Sequence, residues 1–147
     1  MRNFIIESTK TDPWWNLGLE KLLAESLHEG DVIFYLWQND NTVVIGKNQN
    51  ALRECKARLL ENEGGRLARR TTGGGAVYHD LGNLCFTFAA SPERYDVRRQ
   101  LGVVMRACRV FGIETHFSGR NDLLTEEGKK FSGSAFSVTK TDRKANV

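Results

Sequence analysis

Three consecutive glycines, Gly73 to Gly75, constrain this chain more than any other stretch of it. They follow Arg69-Arg70-Thr71-Thr72 and precede Ala76-Val77-Tyr78-His79-Asp80-Leu81-Gly82-Asn83. A glycine run costs backbone entropy and adds no side chain to a core. It is kept where the backbone must turn sharply or come close to another group. Successive glycine N–H groups can converge into a concave nest for an anion. The flanking guanidiniums can hold phosphate or carboxylate through paired hydrogen bonds. The plain alternative for the glycines alone is a surface hairpin loop; the two arginines before them and the Tyr-His-Asp after them favour the anion site.

The loop matches neither common phosphate fingerprint. A Walker A loop needs Lys-Ser/Thr after its last glycine, where this chain has Ala76-Val77. A dinucleotide-binding turn spaces its glycines through a strand-to-helix junction, whereas these are contiguous and lead into a strand. Nucleotide chemistry here requires another architecture.

Size and composition narrow the setting. The 147 residues suffice for one domain that buries roughly two-thirds of its unfolded surface. No stretch approaches the ~20 apolar residues of a membrane span. The start, Met1-Arg2-Asn3-Phe4, lacks the apolar segment and cleavage site of a secretory signal. A cytoplasmic protein without a membrane partner is the expectation. A net charge of +3 is too small for a dedicated nucleic-acid binder, so no nucleic-acid partner is expected. It suits an anionic small molecule or an acidic protein surface. Cys55, Cys85 and Cys108 are odd in number, widely spaced and free of any CxxC, which argues against zinc and against a disulfide framework. They read as reduced, buried thiols, with a catalytic role for Cys85 as the minority alternative.

The periodicity predicts a mixed α+β fold with a largely antiparallel sheet and flanking helices. Phe4–Ile6 is a short strand. Asp12 and Pro13 begin a helix expected to reach about His28, with Trp14, Leu17 and Leu22 on its buried face. Val32–Trp37 is a buried strand, and Asn39-Asp40-Asn41 turns it into Thr42–Ile45, predicting a hairpin. Residues 51–63 form a surface helix ending at Gly64-Gly65, and Arg66–Arg69 a short strand. The runs 76–80 and 84–88, joined by Leu81-Gly82-Asn83, predict a second hairpin. A helix within Pro92–Phe111, short strands at 113–117 and 122–125, and a last segment Lys130–Val138 complete the pattern.

A second constellation is Gly119-Arg120-Asn121-Asp122, followed by Lys130 and Ser132-Gly133-Ser134. A lysine beside Ser-Gly-Ser at the start of a strand can neutralise a phosphate or carboxylate as a point charge. An exposed turn lysine is the ordinary alternative, and Lys129 is expected to be that.

Together these segments resemble lipoate–protein ligase A. The resemblance runs through Asp12-Pro13-Trp14-Trp15-Asn16-Leu17, Thr42–Gly46, Asn48-Gln49-Asn50 and Arg69–Asn83. It continues through Gly119–Leu123 and Lys130–Ala135, collinear to about residue 140. It implies a fold shared with biotin protein ligases and a two-step reaction. Lipoate and ATP, with Mg2+, give lipoyl-adenylate and pyrophosphate. A lysine amine on a lipoyl domain of a 2-oxoacid dehydrogenase complex, or on the glycine-cleavage H protein, then takes the acyl group. Carried over to this chain, Arg70 and Gly75-Ala76-Val77-Tyr78 contact ATP, and Lys130 is the catalytic residue, touching both ATP and lipoate. The apolar tail of the acyl group needs a greasy slot, for which Trp37, Val44 and Val77 are the candidates. Gly74 and His79 are placed with Lys130 at the lipoate site, His79 in an orienting or hairpin-packing role in preference to that of a general base. Asn121 and Asp122 are the candidates for metal.

The resemblance ends where the family continues with a His-His-Gly-Thr-Leu-Leu-type strand. This chain instead reads Thr139-Lys140-Thr141-Asp142-Arg143-Lys144-Ala145-Asn146-Val147. The expectation is a catalytic domain over 1–147 that is incomplete at its C-terminal end. The accessory domain would be absent, one sheet edge unpaired, and a second chain a candidate supplier of the missing part. Two alternatives stay open: an ATP-independent lipoyl or octanoyl transferase on the same fold, or a non-catalytic fragment.

Overall fold

The computed structural model describes residues 2–119, 121–139 and 144–146. Their fold is α+β, with three sheets and four helices among the described residues. In chain order the elements are β1 (Asn3–Glu7), α1 (Pro13–Glu25), β2 (Val32–Trp37), β3 (Thr42–Ile45), α2 (Ala51–Glu54) and α3 (Ala57–Asn62). There follow β4 (Arg66–Arg69), β5 (Val77–His79), β6 (Cys85–Ala90), α4 (Val97–Val110), β7 (Thr115–Ser118), β8 (Asp122–Thr125), β9 (Lys130–Gly133), β10 (Ser137–Thr139) and β11 (Lys144–Asn146).

The strands lie in the orders β1-β2-β6-β11-β10, β4-β3-β5 and β7-β8-β9. Only β1–β2 and β3–β4 are parallel among these neighbours; the rest are antiparallel. The core of the first sheet joins Ile33 and Ala89 to Ala24 and Leu27, with Ile6 and Leu23 packed against them.

Helix α1 starts as expected: the Asp12 carboxylate accepts from the Trp15 N–H at 2.8 Å, and Pro13 opens the first turn. It ends at Glu25, three residues before His28, and it faces the other way round. Trp14 and Leu22 are exposed (57% and 60%), and the buried positions are Pro13, Asn16 and Ala24. Asn16 prevails because its amide is used completely. It donates to the carbonyls of Lys10 and Gln38 and to the side chain of Asn39, and accepts from the hydroxyls of Ser8 and Tyr35. A buried amide so satisfied carries no desolvation penalty.

Neither predicted hairpin forms. β2 pairs with β1 and β6, while β3 pairs with β4 and β5. The Asn39-Asp40-Asn41 corner therefore carries the chain from one sheet into another. It is held there because Asn39 is fully buried against Asn16 and His79. The Asp80–Asn83 turn is real, with Asn83 N–H donating to Asp80 O at 3.0 Å, but it too passes between sheets, from β5 back to β6. The helix expected over 51–63 is split into α2 and α3 at Cys55 and Lys56, where Cys55 adopts extended backbone. β11 lies beside β6, with Ala145 opposite Ala90 and Asn146 opposite Ala89.

Candidate functional site

The two corners place the ends of β2, β3, β5 and β6 around one cavity of about 570 Å3, with β9 on its far side. Trp37, Val44, Arg70, Gly74, Gly75 and Val77 line it, as do Tyr78, His79, Asn121 and Lys130. Of the candidate site residues, Ala76 and Asp122 are not on the lining.

The glycine segment forms the first wall, and its conformation follows from where its carbonyls go. Thr72 O accepts from the Lys47 N–H, and Gly73 O from the Arg70 guanidinium. Gly74 O accepts from the Gln49 amide, and Gly75 O from both the Gly46 N–H and Arg70. Arg70 also donates to Val44 O at 3.1 Å, so its fork is filled by three backbone oxygens. With four successive carbonyls tied back to Gly46–Gln49 and Arg70, the N–H groups of Thr71 to Gly75 donate to no described residue. Unused donors beside a cationic guanidinium are the groups from which an anion nest can be built. The approach is so close that a Cβ on Gly46 would stand 2.0 Å from Gly74 O. Gly74 itself has φ +96°, a conformation that favours glycine. Burial lowers the Arg70 pKa from its ordinary value, with Glu20 acting against that; the guanidinium stays charged.

The apolar end of the cavity is built by Trp37 and Val44, both buried, with the half-exposed Val77 at its rim. Glu20, on the inner face of α1, also lines it, a residue the sequence reading missed. Its carboxylate accepts from the Thr87 hydroxyl at 2.6 Å, and that oxygen accepts from Trp37 Nε1 at 3.1 Å. Burial raises the Glu20 pKa; the Thr87 hydrogen bond and the Arg70 charge oppose it. The signal available was the spacing Asn16-Glu20-Ala24, which at helical period puts two polar residues and one small one on the face of α1 opposite the exposed Trp14 and Leu22.

His79 is buried at the corner. Asn39 donates its amide hydrogen to Nδ1 at 3.2 Å, and the Cys85 sulfur lies 3.5 Å from the same nitrogen. Because Nδ1 accepts, the ring carries its proton on Nε2. Burial, then Arg70, lowers its pKa, and Asp80 opposes them. A neutral, pinned imidazole suits orientation better than proton transfer. Burial pushes the Cys85 thiol up to about 12, although Asn83 donates to its sulfur at 3.2 Å.

The second wall is β9 and the residues after it. Lys130 pairs with Asp122 at 2.9 Å. Asn121 donates its side-chain amide to Ser134 O and accepts the Ser134 N–H on its own carbonyl. Ser134 Oγ lies buried without a described hydrogen-bond partner on the cavity lining, as a group awaiting a ligand would. Among the described residues no group of three or more His, Cys, Asp or Glu side chains converges for a metal ion, and no helix is long and apolar enough to cross a membrane.

Residues 12–142 match the family model for the lipoyl protein ligase A/B catalytic domain. The chain is 46% identical over 139 residues to the lipoate-protein ligase A of Blochmanniella pennsylvanica, spanning 92% of itself and 41% of that relative. It thus covers about two-fifths of the length of the curated relatives it matches. Among solved structures it is similar to P. falciparum LipL1 in complex with lipoate, with a TM-score of 0.88 and 34% identity, over 99% of this chain and 46% of that one. It is similar to the Thermoplasma acidophilum bi-partite lipoate protein ligase, described with its E2 lipoyl domain (0.81, 29%, 99% and 58%). It also resembles a lipoate-protein ligase A bound with ATP (0.81, 27%, 99% and 63%).

Proposed function

The chain belongs to the lipoyl protein ligase A/B catalytic-domain family, and we propose that it performs the ATP-dependent chemistry of a lipoate–protein ligase. The lipoate carboxylate attacks the α-phosphorus of ATP, forming lipoyl-AMP and releasing pyrophosphate. The ε-amine of an acceptor lysine then attacks the acyl carbonyl and expels AMP. Lipoyl domains of 2-oxoacid dehydrogenase complexes and the glycine-cleavage H protein are the acceptors proposed. A cytoplasmic setting is part of the proposal.

One observation carries this reading: the unused backbone donors of Thr71, Thr72, Gly74 and Gly75, which line one cavity with the Lys130 strand. Bringing a carboxylate to a phosphate means bringing two anions together. Fixed N–H dipoles and a lysine ammonium offset that repulsion without reorganising. Arg70 serves the nucleotide by holding the loop carbonyls away from it and by its charge, with Gly75, Ala76, Val77 and Tyr78 continuing the wall. Trp37, Val44 and His79 receive the acyl tail, and Gly74 borders it. Mg2+ arrives as part of Mg-ATP, consistent with an ion that keeps water and phosphate ligands and takes one or two carboxylates. Asn121 and Asp122 are the oxygen-bearing side chains beside Lys130. The transferase alternative, through a thioester on Cys85, is disfavoured by a thiol pushed up to about 12, which is not a thiolate at neutral pH.

The decisive experiment incubates the chain with lipoate, Mg-ATP and an acceptor domain, following pyrophosphate and acceptor mass. Formation of lipoyl-AMP and an acylated acceptor is the expected result; a folded sample giving neither refutes the activity. Lys130→Ala is expected to lower adenylate formation by about 10²–10³-fold, as loss of one oxyanion donor does.

A further inference from the structure

Lys130 opens β9 and Asp122 opens β8, yet the two are not opposite each other in the ladder. Asp122 faces Gly133, and Lys130 faces Leu124, with a register shift between Leu123 and Leu124. The lysine reaches Asp122 by lying forward along its own strand, across Gly133. A Cβ there would stand 3.0 Å from both Cε and Nζ of Lys130 and 3.4 Å from Asp122 Oδ1. The bare glycine is thus the bed on which the side chain lies, and the carboxylate is its end stop. Asn121 and Ser134 exchange hydrogen bonds immediately beside it, fixing the backbone that carries Asp122.

We infer that Asp122 is a positioning residue that sets where the Lys130 ammonium stands on the cavity wall before an anionic substrate arrives. This rests on the role given to Lys130 above. The pair is 56% and 31% exposed, so it adds little to folding stability. Its effect is on geometry: it selects one placement of a long flexible cation, with Gly133 leaving the room. Asp122 itself does not line the cavity, which suits a residue acting through the lysine.

The test reads position and turnover separately. In the chain reductively dimethylated with ¹³C-formaldehyde, the Lys130 methyl resonance is identified by its loss in Lys130→Arg. It is expected apart from the solvent-exposed lysines and to move towards them in Asp122→Asn. Gly133→Ala, which intrudes on the same bed, should displace it too. Pyrophosphate release with lipoate and Mg-ATP should lose up to about 10²-fold in kcat in Asp122→Asn, as displaced catalytic groups do, with KM values changed far less. Partial recovery is expected in Asp122→Glu, and the Tm should stay within about 2 °C because the pair is exposed. An unmoved Lys130 resonance in Asp122→Asn overturns the inference. So does an undiminished kcat, or a loss repaired by raising Mg2+, which would make Asp122 a metal ligand. If the unmodified chain releases no pyrophosphate, the ligase reading fails, and the resonance alone still decides whether Asp122 positions Lys130.

Discussion

The two walls of the cavity are built on opposite plans. The glycine wall is held at nearly every carbonyl: Thr72, Gly73, Gly74 and Gly75 are each bound, and Arg69 further ties down the carbonyls of Gly46, Lys47 and Gln49. The lysine wall depends for its charge placement on a single ion pair with Asp122. A fixed array of donors is rigid enough to be complementary to a transition state and costs no reorganisation during reaction. On the other wall one long cation is placed by one half-exposed contact. The contrast is between a wall held by many redundant bonds and a wall whose charge a single substitution can displace.

The sharpest way to break that contrast is Arg70→Ala. It frees the carbonyls of Gly73 and Val44, takes one of two donors from Gly75 O and lets the loop amides turn, so adenylate formation should fall by at least the ~10²-fold of a single lost oxyanion donor. Arg70→Lys should recover little, since an ammonium cannot span three acceptors as a planar fork does. Near-normal turnover in either variant would show that the loop keeps its shape without the guanidinium.

A smaller effect sharpens the picture at the apolar end. The Glu20 pKa is raised above its ordinary 4.5, chiefly by burial. The native state therefore holds a proton that the unfolded chain loses, and the linked stability falls as pH rises from about 4.5 towards the raised value. Glu20→Gln removes this dependence. Its Tm relative to the unsubstituted chain should improve over that window and level off above it; a difference independent of pH would mean that Glu20 is ionised in the fold. The smallest effect belongs to Cys85→Ser, which should leave turnover nearly unchanged if the thiol has no chemical role. Loss of all acyl transfer in that variant would revive the thioester route.

Local features were legible in the sequence because local residues determine them. The start of α1 follows from Asp12 and Pro13 alone, and the contiguous glycines announced a loop needing close approach. Lys130 and its neighbours Ser132-Gly133-Ser134, singled out together, line the same cavity as the glycine loop. The corners were misread because Asn39-Asp40-Asn41 and Leu81-Gly82-Asn83 say only that the chain bends. Which strand receives the next one depends on Asn16 and His79, distant in sequence, gripping Asn39. Glu20 and the outward-facing Trp14 and Leu22 escaped for one reason: hydrophobicity was taken to mark the inner face of α1. The polar residues there are buried because partners on other elements satisfy them.

The two corners also bear on how the chain acquires its shape. Each sheet receives strands from both sides of the other in sequence, since β2 leads to β3 and β5 returns to β6. Residues 37 and 85 face each other across one ladder, and residues 42 and 79 across the next. Such distant pairings carry a loop-closure cost before they return any contact energy, which slows folding. The cavity sits where both pairings meet, at the ends of β2, β3, β5 and β6. The site is completed only when the two sheets are, and binding anions at the glycine loop should report the last step of folding.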